Sequence, residues 1–107
     1  MEINDAQKKV DDIIQHYGGY WEPLSMLARL TEEVGELSRA MNIKYGGKKS
    51  KFAGDGNELS EEIADVVFTI LALANTTKIN ADEELDKKIT KDWEKCKGVY
   101  DNDNTKS

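Results

Sequence analysis

The chain has 107 residues, 38% hydrophobic and 7% aromatic, with 34% charged residues and a net charge of −6. That length fits one small helical domain over residues 1–100, with a modest aliphatic core that self-association would enlarge. The acidic balance lacks the basic face that duplex nucleic acid requires; the lone Cys96 rules out an intrachain disulfide, and the lone His16 rules out a two-histidine zinc motif. Residues 1–10 are polar and charged, unlike a signal peptide, and no apolar run approaches the ~20 residues of a membrane span. A soluble, cytoplasmic protein with no membrane partner is expected.

Ile3, Ala6, Val10, Ile13, Ile14 and Tyr17 recur at helical spacing, which predicts an amphipathic first helix over residues 3–17. Gly18-Gly19 ends it, and Tyr20 and Trp21 follow on a short connection. Pro23 suits the first turn of a second helix, where its missing N–H costs nothing. That helix is expected from Pro23 to Ile43, with an inward stripe of Leu24, Leu27, Leu30, Val34, Leu37 and Met41. Glu33 falls on the flank of the stripe beside Met26 and Ala40, Glu36 further round, and Glu32 almost opposite.

Residues 44–57 read as a loop rich in Gly and Lys, long for a helix–helix connection. Lys48 in its Lys-Lys-Ser-Lys run is a candidate phosphate contact; a merely solvating loop is the plainer reading. A third helix, from Asn57 or Ser60 to Thr76, carries the stripe Leu59, Ile63, Val66, Val67, Ile70, Leu73 and Ala74. Glu62 sits on its flank, with Asp65 just beyond. Asn80 followed by Glu83 resembles a capping pattern. It opens a fourth helix to about Lys97, with Leu85, Ile89, Trp93 and Cys96 inward. Residues 101–107 form a polar tail expected to be disordered. With no strand alternation and no solenoid repeat, the fold class is all-α: a small four-helix bundle.

Glu33 and Glu36 are three residues apart, as are Glu62 and Asp65, so each pair is a neighbouring pair on its helix. Surface solvation is the plain reading of such acids, and Arg29 and Arg39 stand at helical spacing to neutralise Glu33 and Glu36. The third helix resists that reading. Glu58, Glu61, Glu62 and Asp65 have no Lys or Arg at i±3 or i±4 within the helix. Glu58–Glu62 and Glu61–Asp65 are like-charge i,i+4 pairs, each costing a few tenths of a kcal/mol. Two acidic pairs meeting across packed helices would form a four-carboxylate pocket for a hard divalent cation such as Mg²⁺.

Glu32-Glu33-Val34-Gly35-Glu36, a loop, and then Glu62-Ile63-Ala64-Asp65 resemble the EExxE…ExxD signature of MazG-like nucleotide pyrophosphohydrolases, in the all-α NTP pyrophosphatase superfamily. Leu30 and Leu37 around the first motif, and Val66-Val67-Phe68 and Leu73-Ala74-Asn75 after the second, agree with it. The run from Gly19 to Glu33 looks like the short, single-domain YpjD-type subgroup. The resemblance implies Mg²⁺-dependent (Mn²⁺ as substitute) hydrolysis of a nucleoside triphosphate to monophosphate and pyrophosphate, by homodimers or homotetramers. It implies Glu33, Glu36, Glu62 and Asp65 as metal ligands, with Glu32 orienting water. The family's Lys-then-Asn phosphate pair matches Lys88 with Asp92 in one register and Lys91 in the other; Asp92 departs from the Asn. Trp21 is a candidate for stacking on the base, or else a hydrophobic staple under the second helix. Phosphoribosyl-ATP, dUTP or dCTP as substrate, or a non-catalytic nucleotide- or metal-binding partner protein, are the alternatives.

Overall fold

The structure, a computed structural model, describes residues 1–46 and 58–98. The candidate phosphate contact Lys48 and the expected tail 101–107 lie outside the described residues. Among the described residues four α-helices follow one another: α1 (Ile3–His16), α2 (Pro23–Tyr45), α3 (Glu58–Thr76) and α4 (Ala81–Cys96). The all-α expectation holds, with boundaries shifted by a residue or two at most ends. Among the described residues no helix is long and apolar enough to cross a membrane.

The helix ends follow from local chemistry. Gly18 and Gly19 adopt φ of 109° and 102°. Gly19 N–H bonds back to the Ile14 carbonyl at 2.9 Å and Gly18 N–H to that of Gln15 at 3.3 Å, a left-handed cap of the type glycine favours. The end of α3 repeats the pattern without glycine: Ile79 N–H reaches the Ala74 carbonyl at 2.8 Å and Lys78 N–H that of Asn75 at 3.1 Å, with Lys78 at φ 59°. Pro23 occupies the first turn of α2. Asn80 caps α4 by accepting the Glu83 N–H at 3.0 Å, and Asp82, Glu83 and Glu84 in that first turn favour the helix dipole.

The antiparallel α2–α3 pair is the main packed unit; α1 lies against α3, and α4 makes its substantial contact with α1. The core is Val10 of α1, Met26 of α2 and Leu71 and Ala72 of α3, flanked by Ile3, Ala6, Ile14, Tyr20, Leu73 and Ala81. A polar clip closes the other end. Gln7 Nε2 donates to the Ile79 carbonyl at 2.7 Å, Gln7 Oε1 accepts the Ala81 N–H at 3.0 Å, and Asn75 Nδ2 donates to the Gln7 carbonyl at 3.0 Å. One side chain thus ties α1 to the α3–α4 turn.

The inward faces differ from those the hydropathy pattern predicts. On α2 the buried line is Met26, Glu33, Ala40, seven residues apart and so on one face. Leu24, Leu27, Val34 and Met41 of the expected stripe are exposed. On α3 the packed line runs through Thr69 and Ala72, in helical register with Glu62 and Asp65, while Ile63, Val67 and Ile70 are exposed. The expected inward stripe of α4 is corrected as well: it buries no residue, Leu85, Ile89 and Trp93 are exposed, and so is Cys96. The reason is geometric. A helix that packs on one neighbour covers only part of a broad apolar stripe, and α4 has chiefly α1 to pack on.

Candidate functional site

Because Glu33 shares the buried line of α2 with Met26 and Ala40, the packing that makes the core carries its carboxylate into the α2–α3 seam. From α3, Glu62 and Asp65 meet it. One carboxylate oxygen of each of Glu33, Glu62 and Asp65 lies within 4.8 Å of the others. Glu33 is only 3% exposed. Its Oε2 and the Oε2 of Glu62 are shut off from water and have no hydrogen-bond partner.

That arrangement is unfavourable for anions alone, since burial and like charge both act against the ionised form. Glu62 registers the cost: removal from water pushes its carboxyl above the usual glutamate value, and the charges of Glu36, Asp65 and Glu33 and a hydrogen bond shared with Glu36 push the same way. Glu36 therefore reaches the cluster at its edge, from an exposed position on α2. Glu32 is exposed and turned to Arg29, with Oε2 3.7 Å from Nη1. Arg29 Nη2 donates to Glu33 Oε1 at 2.8 Å, the helical pair expected from the sequence; Arg39 makes no such pair with Glu36. Buried carboxylate oxygens lacking donors are the ligand type hard divalent cations take, so the donor set fits Mg²⁺ or Mn²⁺.

Beside the acids a cavity of about 570 Å³ opens between the end of α1, the connection that follows it, and the α2–α3 seam. Glu33, Asp65 and Arg29 lie on its lining with Trp21, Tyr20 and Phe68. Trp21 is half exposed and lines the cavity together with Met26. Tyr20 is fixed by donating its hydroxyl to Asp11 Oδ1. Burial first, and then that bond to Asp11, push its phenol up to about 12. Thr69 Oγ1 donates to the Asp65 carbonyl at 2.8 Å, one turn below the acid.

The structure thus brings Glu33, Glu62 and Asp65 together, with Glu36 at their rim and Trp21 on the adjoining wall. It does not bring Lys88 or Lys91 there: neither lines the cavity, and Lys88 Nζ is paired with Asp92 Oδ2 at 3.0 Å. Sequence reasoning missed the cavity itself and the Tyr20–Asp11 bond. The only signal was the Gly18-Gly19 turn, which swings the next two aromatic residues back towards α2.

Residues 21–101 match the MazG nucleotide pyrophosphohydrolase domain. Among curated relatives, the uncharacterised protein YpjD of Bacillus subtilis is 44% identical over 90 residues, 83% of this chain and 81% of YpjD. The uncharacterised YvdC of the same organism is 30% identical over 104 residues, 88% of this chain and 98% of YvdC. Among solved structures, that of YpjD from Bacillus subtilis, described as a candidate pyrophosphatase, superposes with a TM-score of 0.77 at 42% identity, over 85% of this chain and 94% of that one. A Bacillus-conserved MazG protein, described as a nucleotide pyrophosphohydrolase, superposes with a TM-score of 0.67 at 38% identity, over 86% and 87% of the two chains.

Proposed function

This chain belongs to the MazG nucleotide pyrophosphohydrolase family, and from that premise we propose that it hydrolyses nucleoside or deoxynucleoside triphosphates to the monophosphate and pyrophosphate, with Mg²⁺ at Glu33, Glu36, Glu62 and Asp65. Clearing the nucleotide pool is the role that fits this chemistry. The observation that carries the reading is the convergence of Glu33, Glu62 and Asp65 with two buried, partnerless carboxylate oxygens. The fold supports that cluster at a cost in charge repulsion that a bound divalent cation would relieve.

When bound, a divalent cation neutralises phosphate charge and makes a nucleophile of water near neutral pH. The chain's own residues do the rest. Glu33 and Glu62 each present a free oxygen into the seam, and Asp65 and Glu36 close the set from α3 and α2. Glu32, one residue outside the buried line, is assigned to orienting water. Trp21 is assigned to the base, which it meets from the cavity wall by stacking. We assign no phosphate contact to Lys88 or Lys91 within their own protomer. The acting form is assigned as a homodimer or homotetramer, because the exposed aliphatic faces of α2, α3 and α4 need cover.

Pyrophosphate release from a panel of NTPs and dNTPs, with and without Mg²⁺, tests the reading beside Glu36→Gln. Metal-dependent release that disappears in the variant, with helical content unchanged, is expected. A folded, metal-loaded wild type that releases pyrophosphate from no nucleotide overturns it.

A further inference from the structure

We propose that Arg29 is a substrate-binding residue, holding a phosphate oxygen of the nucleotide while its other edge grips Glu33. The inference rests on the nucleotide reading above. Arg29 is the only cationic side chain on the lining of the cavity beside the acids, among the described residues. Its side chain is half exposed, although its partner Glu33 is almost wholly buried. The guanidinium therefore stands at the boundary between the carboxylate seam and the open cavity, on the route a polyphosphate takes to the acids.

Its donor count supports two simultaneous partners. A guanidinium carries five N–H groups in a rigid plane. Glu33 Oε1 takes one through Nη2 at 2.8 Å, and Glu32 approaches Nη1 only to 3.7 Å, beyond hydrogen-bonding range. Donors remain for an oxyanion, and arginine recognises phosphate through this fork geometry. A chain of net charge −6 with clustered carboxylates needs a local cation to admit a polyanion, and Lys88 and Lys91 are not on this wall. The bland account is that Arg29 only neutralises Glu33, as an ordinary i,i+4 helical pair. The two accounts differ in which ligand feels its loss.

Equilibrium binding separates them without relying on turnover. The probes are a triphosphate with a non-hydrolysable α,β-imido bridge, titrated in excess Mg²⁺, and Mn²⁺ alone, followed by electron paramagnetic resonance. Arg29→Ala is expected to weaken analogue binding by about 10- to 100-fold, the effect of losing a charge-assisted hydrogen bond, while Mn²⁺ affinity stays within about threefold, too small a change to account for it. Arg29→Lys, which keeps the charge but not the fork, is expected to fall between. Unchanged analogue binding in Arg29→Ala overturns the proposal, as does a Mn²⁺ affinity that falls in step with it. Should Arg29→Ala lose its helical circular dichroism, Arg29→Lys decides by the same two affinities. A wild type that binds the analogue but releases no pyrophosphate sinks the hydrolase reading and leaves Arg29 standing. One that does not bind it sinks both.

Discussion

Glu33 is 3% exposed, while Leu27 and Val34 on the same helix are 50% and 46% exposed. On α3 the same inversion appears: Glu62 has an oxygen sealed from water, and Ile63 and Val67 are each 50% exposed. One face of the α2–α3 pair therefore hides charge and the other shows hydrocarbon, the reverse of what transfer free energies favour for an isolated protomer. The inversion supports the two partners proposed above, one for each face. The buried carboxylates of the inner face are where we propose the cation, and the exposed aliphatic outer face is where we propose a second copy of the chain.

The largest expected effect comes from neutralising the inner face. Glu62→Gln should cut pyrophosphate release by at least about 100-fold, since loss of groups merely supporting a metal ligand already costs 10- to 100-fold. The same change should raise the melting temperature of the protein in chelator. The sign follows from the raised Glu62 carboxyl. A carboxyl raised in the fold favours folding below its ordinary value of 4.5 and loses that contribution as pH climbs through the raised value, so the charged form is a liability at neutral pH that the amide lacks. Melting curves from pH 4 to 8 should show the advantage of Glu62→Gln vanish towards the acid end. A variant less stable than wild type at neutral pH would break the account of the inner face.

The outer face is probed by Val67→Glu. On an isolated protomer an exposed substitution shifts stability by only about 0.5 kcal/mol either way. Buried in a self-interface, the new charge should cost several times that, on the order of 2 kcal/mol or more. Sedimentation velocity should then show wild type as a dimer or larger and the variant shifted to monomer; a wild type that sediments as monomer removes the second partner from the comparison.

Tyr20 supplies the smallest effect and the sharpest contrast, because its part-buried polar group does have a partner in Asp11. Its phenol rises from 10.0 to about 12, so its contribution to stability is whole below pH 10 and is lost as pH rises through about 12. The stability gap between wild type and Tyr20→Phe should therefore narrow over that alkaline range in denaturant titrations. A gap independent of pH would mean that the phenol–carboxylate bond contributes nothing.

Much of this was legible in the residues. The 3/4 spacing of Ile3, Ala6, Val10 and Ile14 marks α1, Gly18-Gly19 its end and Pro23 the next start. The i,i+3 acids, and the lack of helical counter-charges beside Glu62 and Asp65, mark the cluster. What hydropathy could not reveal is which part of a broad stripe meets the protomer's own core. Leu27 and Val34 look more inward than Met26, because the pattern records apolar surface without saying which part of it a neighbouring helix covers. Arg29 was legible as a neighbour of Glu33 but not as a wall of a cavity, since that wall is assembled from α1, the Tyr20–Trp21 connection and α3.

The Gln7 clip carries a consequence for how the molecule comes into being. Its hydrogen bonds span 72 and 74 positions of sequence, so α1 leaves the ribosome long before its anchoring groups exist. At a translation rate of 5–20 residues per second, Ala81 follows Gln7 by about 4–15 s. The α2–α3 hairpin can close within that interval, but α1 must wait for α3 to cover its apolar stripe, and the Gln7 bonds lock it only when the turn after α3 arrives. Of the four described helices, α1 is made before the others yet is locked among the last, and its apolar stripe is the surface left open to wrong partners in the interval.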